Sequence, residues 1–528
     1  MKRFSFVLAA ALLATGGTVW AWADEGHHHD VTAEELGSVH FAVSCAEAVQ
    51  PAFQRGVALL HSFWYEEAEK TFREIGTKDP QCAMAHWGVA MSLYHQLWDH
   101  PGEKTLKEGH AELEKAAALH PKTERERDYI AALDKFYGDA RQDHEARAKA
   151  YAAAMEKVYQ RYPEDKEAAA FYALSLLGSN PPHDTTFANR RQAAAVLEKL
   201  FVEEPNHPGV AHYLIHSYDK PQLAEAGLNA ARRYARIAPA SPHALHMPSH
   251  IFARLGLWQD DIDSNLASIA ATRKSAAMHM GGAGHQIHAM DFLIYAYLQS
   301  GREAEVQKQI DEVKALADEP DMHYGGGDER VYALTKFPAI YALELHRWKD
   351  AAALTPVKGA SSLEEAITYY TRAIGNARGG NAAAARKDLQ KLQGLAAKDD
   401  DIEMLRKEAA AWVDHAEGKQ DQAVAGLRQA AEEEDAAGSE QTAIPAREQL
   451  AEMLLELKRP QEALAEYEKS LKFNPGRFNG LYGAAQAAEA AGKPDQAATY
   501  YAQLVKACAG SNSERPELNR ARALVAKR

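Results

Sequence analysis

Cysteine is nearly absent: Cys45, Cys82 and Cys508 are the only three in 528 residues. So few thiols exclude a disulfide-stapled framework and the paired-cysteine zinc motifs. Long apolar runs are missing after the first residues, so no later segment reaches the roughly 20 residues that a membrane helix needs. Phosphate-binding loops and nucleophile-elbow serines are missing too, and the glycine triplet Gly325, Gly326, Gly327 lacks the lysine and hydroxyl residue of a P-loop. Positive charge is in the minority, 60 lysines and arginines against 74 acidic residues for a net charge of −14. Such a surface repels phosphate backbones and anionic headgroups, so neither nucleic acid nor an anionic membrane is an expected partner.

What is present begins with an export signature. Lys2 and Arg3 precede an apolar run from Phe4 to about Ala14, and Ala21-Trp22-Ala23 offers a small-x-small cleavage site. The expectation is a signal peptide over 1–23, a periplasmic or secreted mature chain starting near Asp24, and no membrane insertion after cleavage; an uncleaved anchor is the alternative. An oxidising compartment permits a Cys45–Cys82 disulfide, which spacing alone does not establish.

The length exceeds one compact core and suits either several domains or an elongated repeat array. A period of 34 residues favours the array. It relates Gly56 to Ala90, His61 to His95, Trp64 to Trp98, Pro205 to Pro239, His212 to His246, His216 to His250, and Tyr467 to Tyr501. "YEEAEKTFREIGTKDP" carries Ala68, Phe72 and Pro80, and "EALAEYEKSLKFNP" carries Ala463, Tyr467 and Pro475 in the same order. This pattern resembles the tetratricopeptide repeat from about residue 50 to 510. The resemblance implies an all-α, right-handed α-solenoid of helix-turn-helix units. We expect an N-terminal leader at 24–50, repeats with inserted loops at 51–300, degenerate repeats at 301–440, regular ones at 441–510, and a tail at 511–528. Two stretches lengthen their links, "HQLWDHPGEKTLKEGH" and "GSNPPHDTTFANRR"; their Asp99-His100 and His183-Asp184 pairs flank a binding surface or are simply solvated turns.

Histidine is unevenly spread: eleven of 24 lie from His183 to His323, and none lies beyond His415. In the family that the repeats resemble, the first helix of each pair lines a concave groove. His212 and His216 share one face of such a helix, His243, His246 and His250 follow at intervals of three and four, and His285 and His288 precede Asp291 and Tyr295. Ser241 and Pro242 suit a helix start. Pro248 either kinks that helix or begins the real one.

A stripe of seven imidazoles at helical spacing points to a transition metal, because neutral imidazole is a common ligand and an i, i+4 pair can offer two nitrogens to one ion. The expected ligands are His212, His216, His243, His246, His250, His285, His288 and Asp291, with Tyr295, His61, His95, His183, Asp184 and His323 lining the groove. The alternative is a polar groove that hydrogen-bonds a peptide or small ligand. Met278, Met280 and Met290 beside histidines favour copper if they ligate, whereas imidazole with carboxylate favours zinc or iron; core packing is their other role. The triple histidine in "DEGHHHD" is a weak chelator or a solvated leader. A metal-dependent hydrolase or oxidase, with Asp219 or Asp291 as base or orienting group, stands beside a metal-free scaffold for another envelope protein. Metal affinity is expected to fall below about pH 6, where free imidazole protonates.

Overall fold

The computed structural model describes residues 35–527 except 98–99, 182–183, 279, 281–282, 317–321, 323–327, 398–400 and 439–441. The expected signal peptide over 1–23, the triple histidine, Asp99, His183 and His323 lie outside the described residues. Among the described residues the regular structure is helical and no strand occurs. Helices run from Gln50–His61 to Pro516–Val525, joined mostly by short turns. Each packs on the next, and within a repeat period also on the next but one. Gln50–His61 rests on Tyr65–Lys78 and Ala83–Ser92, and Ala446–Glu456 rests on Pro460–Phe473 and Phe478–Ala490. The chain is therefore an α-solenoid of tetratricopeptide-like helix pairs. None of the described helices is long and apolar enough to cross a membrane.

One backbone device marks the turn in many of these pairs. The first helix ends, a residue adopts the left-handed conformation, and the next amide reaches back to a carbonyl five residues earlier. Trp64 N–H bonds Leu59 O at 3.0 Å, Arg302 bonds Tyr297 O at 2.8 Å, and Lys493 bonds Ala488 O at 2.9 Å. This six-to-one bond satisfies a helix-terminal carbonyl. It recurs at Arg302, Arg347, Asn381 and Lys419, so pairing continues through the stretch 301–440 where the sequence pattern is degenerate. The left-handed residue is glycine at Gly256, Gly301, Gly380, Gly418 and Gly492, but Phe63, His346 and Lys458 occupy the equivalent turns.

Small residues face aromatics where helices cross, as the repeat pattern requires. A Cβ on Gly88 would stand 2.3 Å from the Phe72 ring, and one on Gly56 would stand 2.7 Å from it. Gly483 and Tyr467 repeat the arrangement at 2.2 Å.

The array also touches itself at long range. Gln50–His61 packs against Pro208–Tyr218, and Ala283–Gln299 packs against Phe478–Ala490. Arg477, fully buried, donates to the Tyr295 hydroxyl across this second contact and also joins Glu344 at 2.7 Å and Glu448 at 2.8 Å. The segment after Glu35 is packed rather than solvated: Leu36 and Phe41 are wholly buried, and Phe41 stacks on Trp87 at 5.4 Å. Cys45 and Cys82 are disulfide-bonded with Cα atoms 4.7 Å apart, tying this segment to the second repeat. At the other end the tail forms the Pro516–Val525 helix, which buries Leu518 and Ala521.

Candidate metal centre

The stretch "SPHALHMPSH" folds as two short helices meeting at Met247. Ser241 caps the first, its hydroxyl accepting from Ala244 N–H at 3.3 Å, and Pro242 occupies the first turn. Pro248 opens the second helix, Pro248–Arg254, where its missing N–H costs nothing. The backbone tightens across the joint, with His250 N–H bonding Met247 O at 3.2 Å. His246 and His250 still share a face, although they belong to different helices.

Seven imidazoles meet here in two trios and one neighbour. His212 and His216, on the Pro208–Tyr218 helix, join His243: the Nε2 of His212 lies 3.1 Å from that of His216 and 3.1 Å from that of His243. His246, His250 and His288 form the second trio, with the Nε2 atoms of His246 and His250 3.0 Å apart. Within each trio the ligand nitrogens lie within 4.8 Å of one another. The trios adjoin: ring centres of His243 and His246 are 6.0 Å apart, and those of His216 and His250 are 6.1 Å apart. His285 stands 5.3 Å from His243.

The far nitrogens of three rings are held by groups that can only accept, which fixes their tautomers. His212 Nδ1–H donates to His61 O at 2.7 Å, His250 Nδ1–H to Asp219 at 2.8 Å, and His246 Nδ1–H to the Asn265 oxygen at 2.6 Å. Asn265 is oriented in turn by donating to Asp261 at 2.7 Å. In the neutral rings this turns Nε2 lone pairs toward the trio centres, as an oriented metal-binding histidine requires. Asp219 also accepts from Arg254 at 3.1 Å. Burial works against its charge, but His250 and Arg254 hold the carboxyl well below its usual range.

The rings are interior rather than groove-lining. His212, His243, His246, His250 and His285 are buried; His216 and His288 are partly covered. Long-range packing of Gln50–His61 on Pro208–Tyr218 closes the face that an open solenoid would present. Phe63 lies against His212 at 4.3 Å and His243 at 5.4 Å, and Phe292 against His250 at 4.5 Å and His246 at 4.9 Å. Desolvation and neighbouring histidines hold His216, His243, His246 and His288 well below the ordinary imidazole value; His212 falls to about 3, with burial the main cause.

Other candidates stand apart. Asp291 is ion-paired with Lys336 at 2.7 Å and accepts from Thr442 at 3.1 Å, outside both trios. Tyr295 is buried with its hydroxyl on Arg477. His95 stacks on Tyr65 at 4.3 Å and donates to Ser92 O. Asp184 caps its own turn through Thr186 and Ala188. His61 supplies a backbone oxygen to His212, while its ring bridges the Tyr213 hydroxyl and Glu167 at 2.8 Å each. His61, Glu167 and His207 also form a compact trio, but one already satisfied. His207 Nδ1 accepts from Val210 N–H, leaving its other nitrogen to donate to Glu167 at 3.0 Å. Asp79 lies beside the Cys45–Cys82 bridge, whose sulfurs are already committed to each other.

Sequence reasoning missed the support around the rings. Along the Trp258–Ala277 helix, Asp261, Asn265, Ser268, Thr272 and Ser275 recur at intervals of three and four, and all are buried. A buried polar stripe must find partners, and two of these side chains meet the histidine helix, Asn265 at His246 and Ser268 at Pro242 O, 2.8 Å away. That spacing was visible in the sequence. The placement of Phe63 was not, since nothing local predicts a bulky residue in a left-handed turn (φ 52°).

No family model matches the chain, and no curated protein matches it in sequence. Among solved structures, the human IFIT1 dimer with m7Gppp-AAAA aligns with a TM-score of 0.40 and 13% identity, over 80% of this chain and 90% of that one. The APC/C hetero-tetramer Cut9–Hcn1 aligns with a TM-score of 0.35 and 12% identity, over 89% of each chain. Likeness at this level carries no information about a ligand.

Proposed function

We propose that the protein is an exported repeat protein that binds a transition metal through its buried histidines. One observation carries this: His246 and His250 have both Nδ1 protons committed to acceptors, while their Nε2 atoms lie 3.0 Å apart. Two bare lone pairs at that distance repel unless a cation lies between or beside them: a metal ion, or a proton on His250, whose other nitrogen faces Asp219. Tetrahedral coordination with metal–nitrogen bonds of about 2.0–2.1 Å brings ligand nitrogens to about 3.3 Å, close to the 3.1 Å from His212 to both His216 and His243 and the 3.0 Å between His246 and His250. Imidazole alone suits copper, zinc, iron or nickel; no thiolate or carboxylate completes either trio among the described residues. Export is supported by the leader and by the Cys45–Cys82 disulfide, since disulfides persist in oxidising compartments. Depressed imidazole values move the expected loss of metal from about pH 6 to lower pH.

Elemental analysis of protein purified without an affinity tag tests the proposal. Retained copper or zinc is expected in the wild type and in a variant with His27, His28 and His29 changed to alanine. It is expected to disappear when His212, His216, His246 and His250 become alanine. Equal metal content in the two variants overturns the proposal. A metal-free protein that crosslinks to one envelope protein would instead establish a scaffold.

A further inference from the structure

We infer that the centre holds two metal ions at once, one in each histidine trio, and that the pair is monovalent copper. This rests on the metal-binding proposal above and adds its stoichiometry and charge.

The first ground is that the trios are separate ligand sets. His212, His216 and His243 converge through Nε2 atoms 3.1 Å from that of His212, whereas His246, His250 and His288 converge around a second point. Three nitrogens per ion already form a complete protein ligand set for a metal that keeps one further position open. Six nitrogens around a single ion would need one common centre, but the ligand nitrogens that lie within 4.8 Å of one another group as His212, His216 and His243 and, separately, as His246, His250 and His288. Ring centres within the trios stand 4.5 to 5.7 Å apart except those of His216 and His243, at 6.5 Å.

The second ground is how the chain builds the pair. The short Pro242–His246 helix gives one ligand to each set, His243 and His246, three residues apart. Neighbouring elements supply the rest: Pro208–Tyr218 gives two ligands to the first set, while Pro248–Arg254 and Ala283–Gln299 give one each to the second. One rigid turn of helix therefore fixes the spacing of the two centres. Each set also has its own anchor, His61 O behind His212 and Asp219 behind His250.

Charge selects the ion. All six ligands are imidazoles, which bring no negative charge to a metal they bind, in a desolvated interior faced by Phe63 and Phe292. Asp219, the carboxylate bonded to one of these rings, is also engaged by Arg254. Arg190 and Lys336 add positive charge near His216 and His288, with Lys336 paired to Asp291. Two divalent ions would place four charges in this interior without matching anions, an expensive arrangement. Two monovalent ions halve that load, and among imidazole-binding metals copper has a stable monovalent state.

The test is an anaerobic titration of the full chain, with His27, His28 and His29 changed to alanine, using Cu(I) against a chromophoric Cu(I) chelator. Two equivalents per chain are expected, with affinities within about tenfold of each other. His216→Ala and His288→Ala, checked for folding by circular dichroism, should each retain one equivalent. A parallel titration with Zn(II) should show the second equivalent binding at least tenfold more weakly than the first. One equivalent in the parent, or loss of both in either folded single variant, overturns the paired site while leaving metal binding intact. Equal filling by two Zn(II) overturns the monovalent assignment. No binding of either metal overturns the proposal and the function beneath it together.

Discussion

At the scale of single residues, the centre depends on groups that never touch a ligand position. Asp219 accepts the Nδ1 proton of His250 and so aims its other nitrogen inward. Asp219→Asn keeps the volume but removes the charge that holds this tautomer. We expect metal affinity to fall about 10–100-fold, the usual cost of losing such a partner, with folding retained. Competition against a chelator of known affinity measures it, and an unchanged affinity would remove Asp219 from the orienting role. Gly209 illustrates the same dependence through space: a Cβ there would stand 2.4 Å from His61 Nδ1, so the ring whose backbone anchors His212 can sit only beside a glycine.

At the scale of elements, the left-handed turn is the repeating unit of this fold. Gly256, at φ 66°, follows the Pro248–Arg254 helix, and a Cβ there would meet Pro475 O at 2.4 Å. Gly256→Ala combines left-handed strain with a backbone clash and should destabilise by about 1–3 kcal/mol. Thermal melting should show the loss, whereas Gly492→Ala, at an equivalent turn with open space around it, should lose only the conformational part. Equal losses would mean that the Gly256 and Pro475 contact contributes nothing. The pairing of such elements was legible in the sequence from Ala463, Tyr467 and Pro475, because small, aromatic and terminating residues have local causes. Through 301–440 the same turn persists on backbone bonds alone, and the side-chain pattern there gave little notice of it.

At the scale of the molecule, buried carboxyls in the C-terminal repeats set a pH dependence. Burial raises Glu408 and Glu434 far above their ordinary value of 4.5, Glu434 also by the nearness of Glu408, into or above the neutral range. The folded state thus holds these protons more tightly than the unfolded chain. Their contribution is complete below about pH 4.5 and is lost as pH rises through neutrality. Above about pH 7, where the depressed imidazoles are neutral in both the folded and the unfolded chain, urea midpoints should therefore fall toward about pH 9, with each retained proton worth about 1.4 kcal/mol per pH unit. Glu408→Gln with Glu434→Gln should flatten that slope. A midpoint that rises over this range would contradict the assignment.

The sequence by itself determined the helix pairs, their period, and the faces on which seven histidines fall, because periodicity, caps and small-residue contacts act over one or two turns. It also placed Cys45 and Cys82 within reach of a bridge without deciding whether one forms. Only the tertiary structure decided that the histidines turn into a closed interior and divide into two sets, and that Asp291 belongs to Lys336 instead. Those outcomes depend on contacts between residues about 150 positions apart, such as His61 with His212. No local pattern encodes which ring nitrogen faces which neighbour across such a distance.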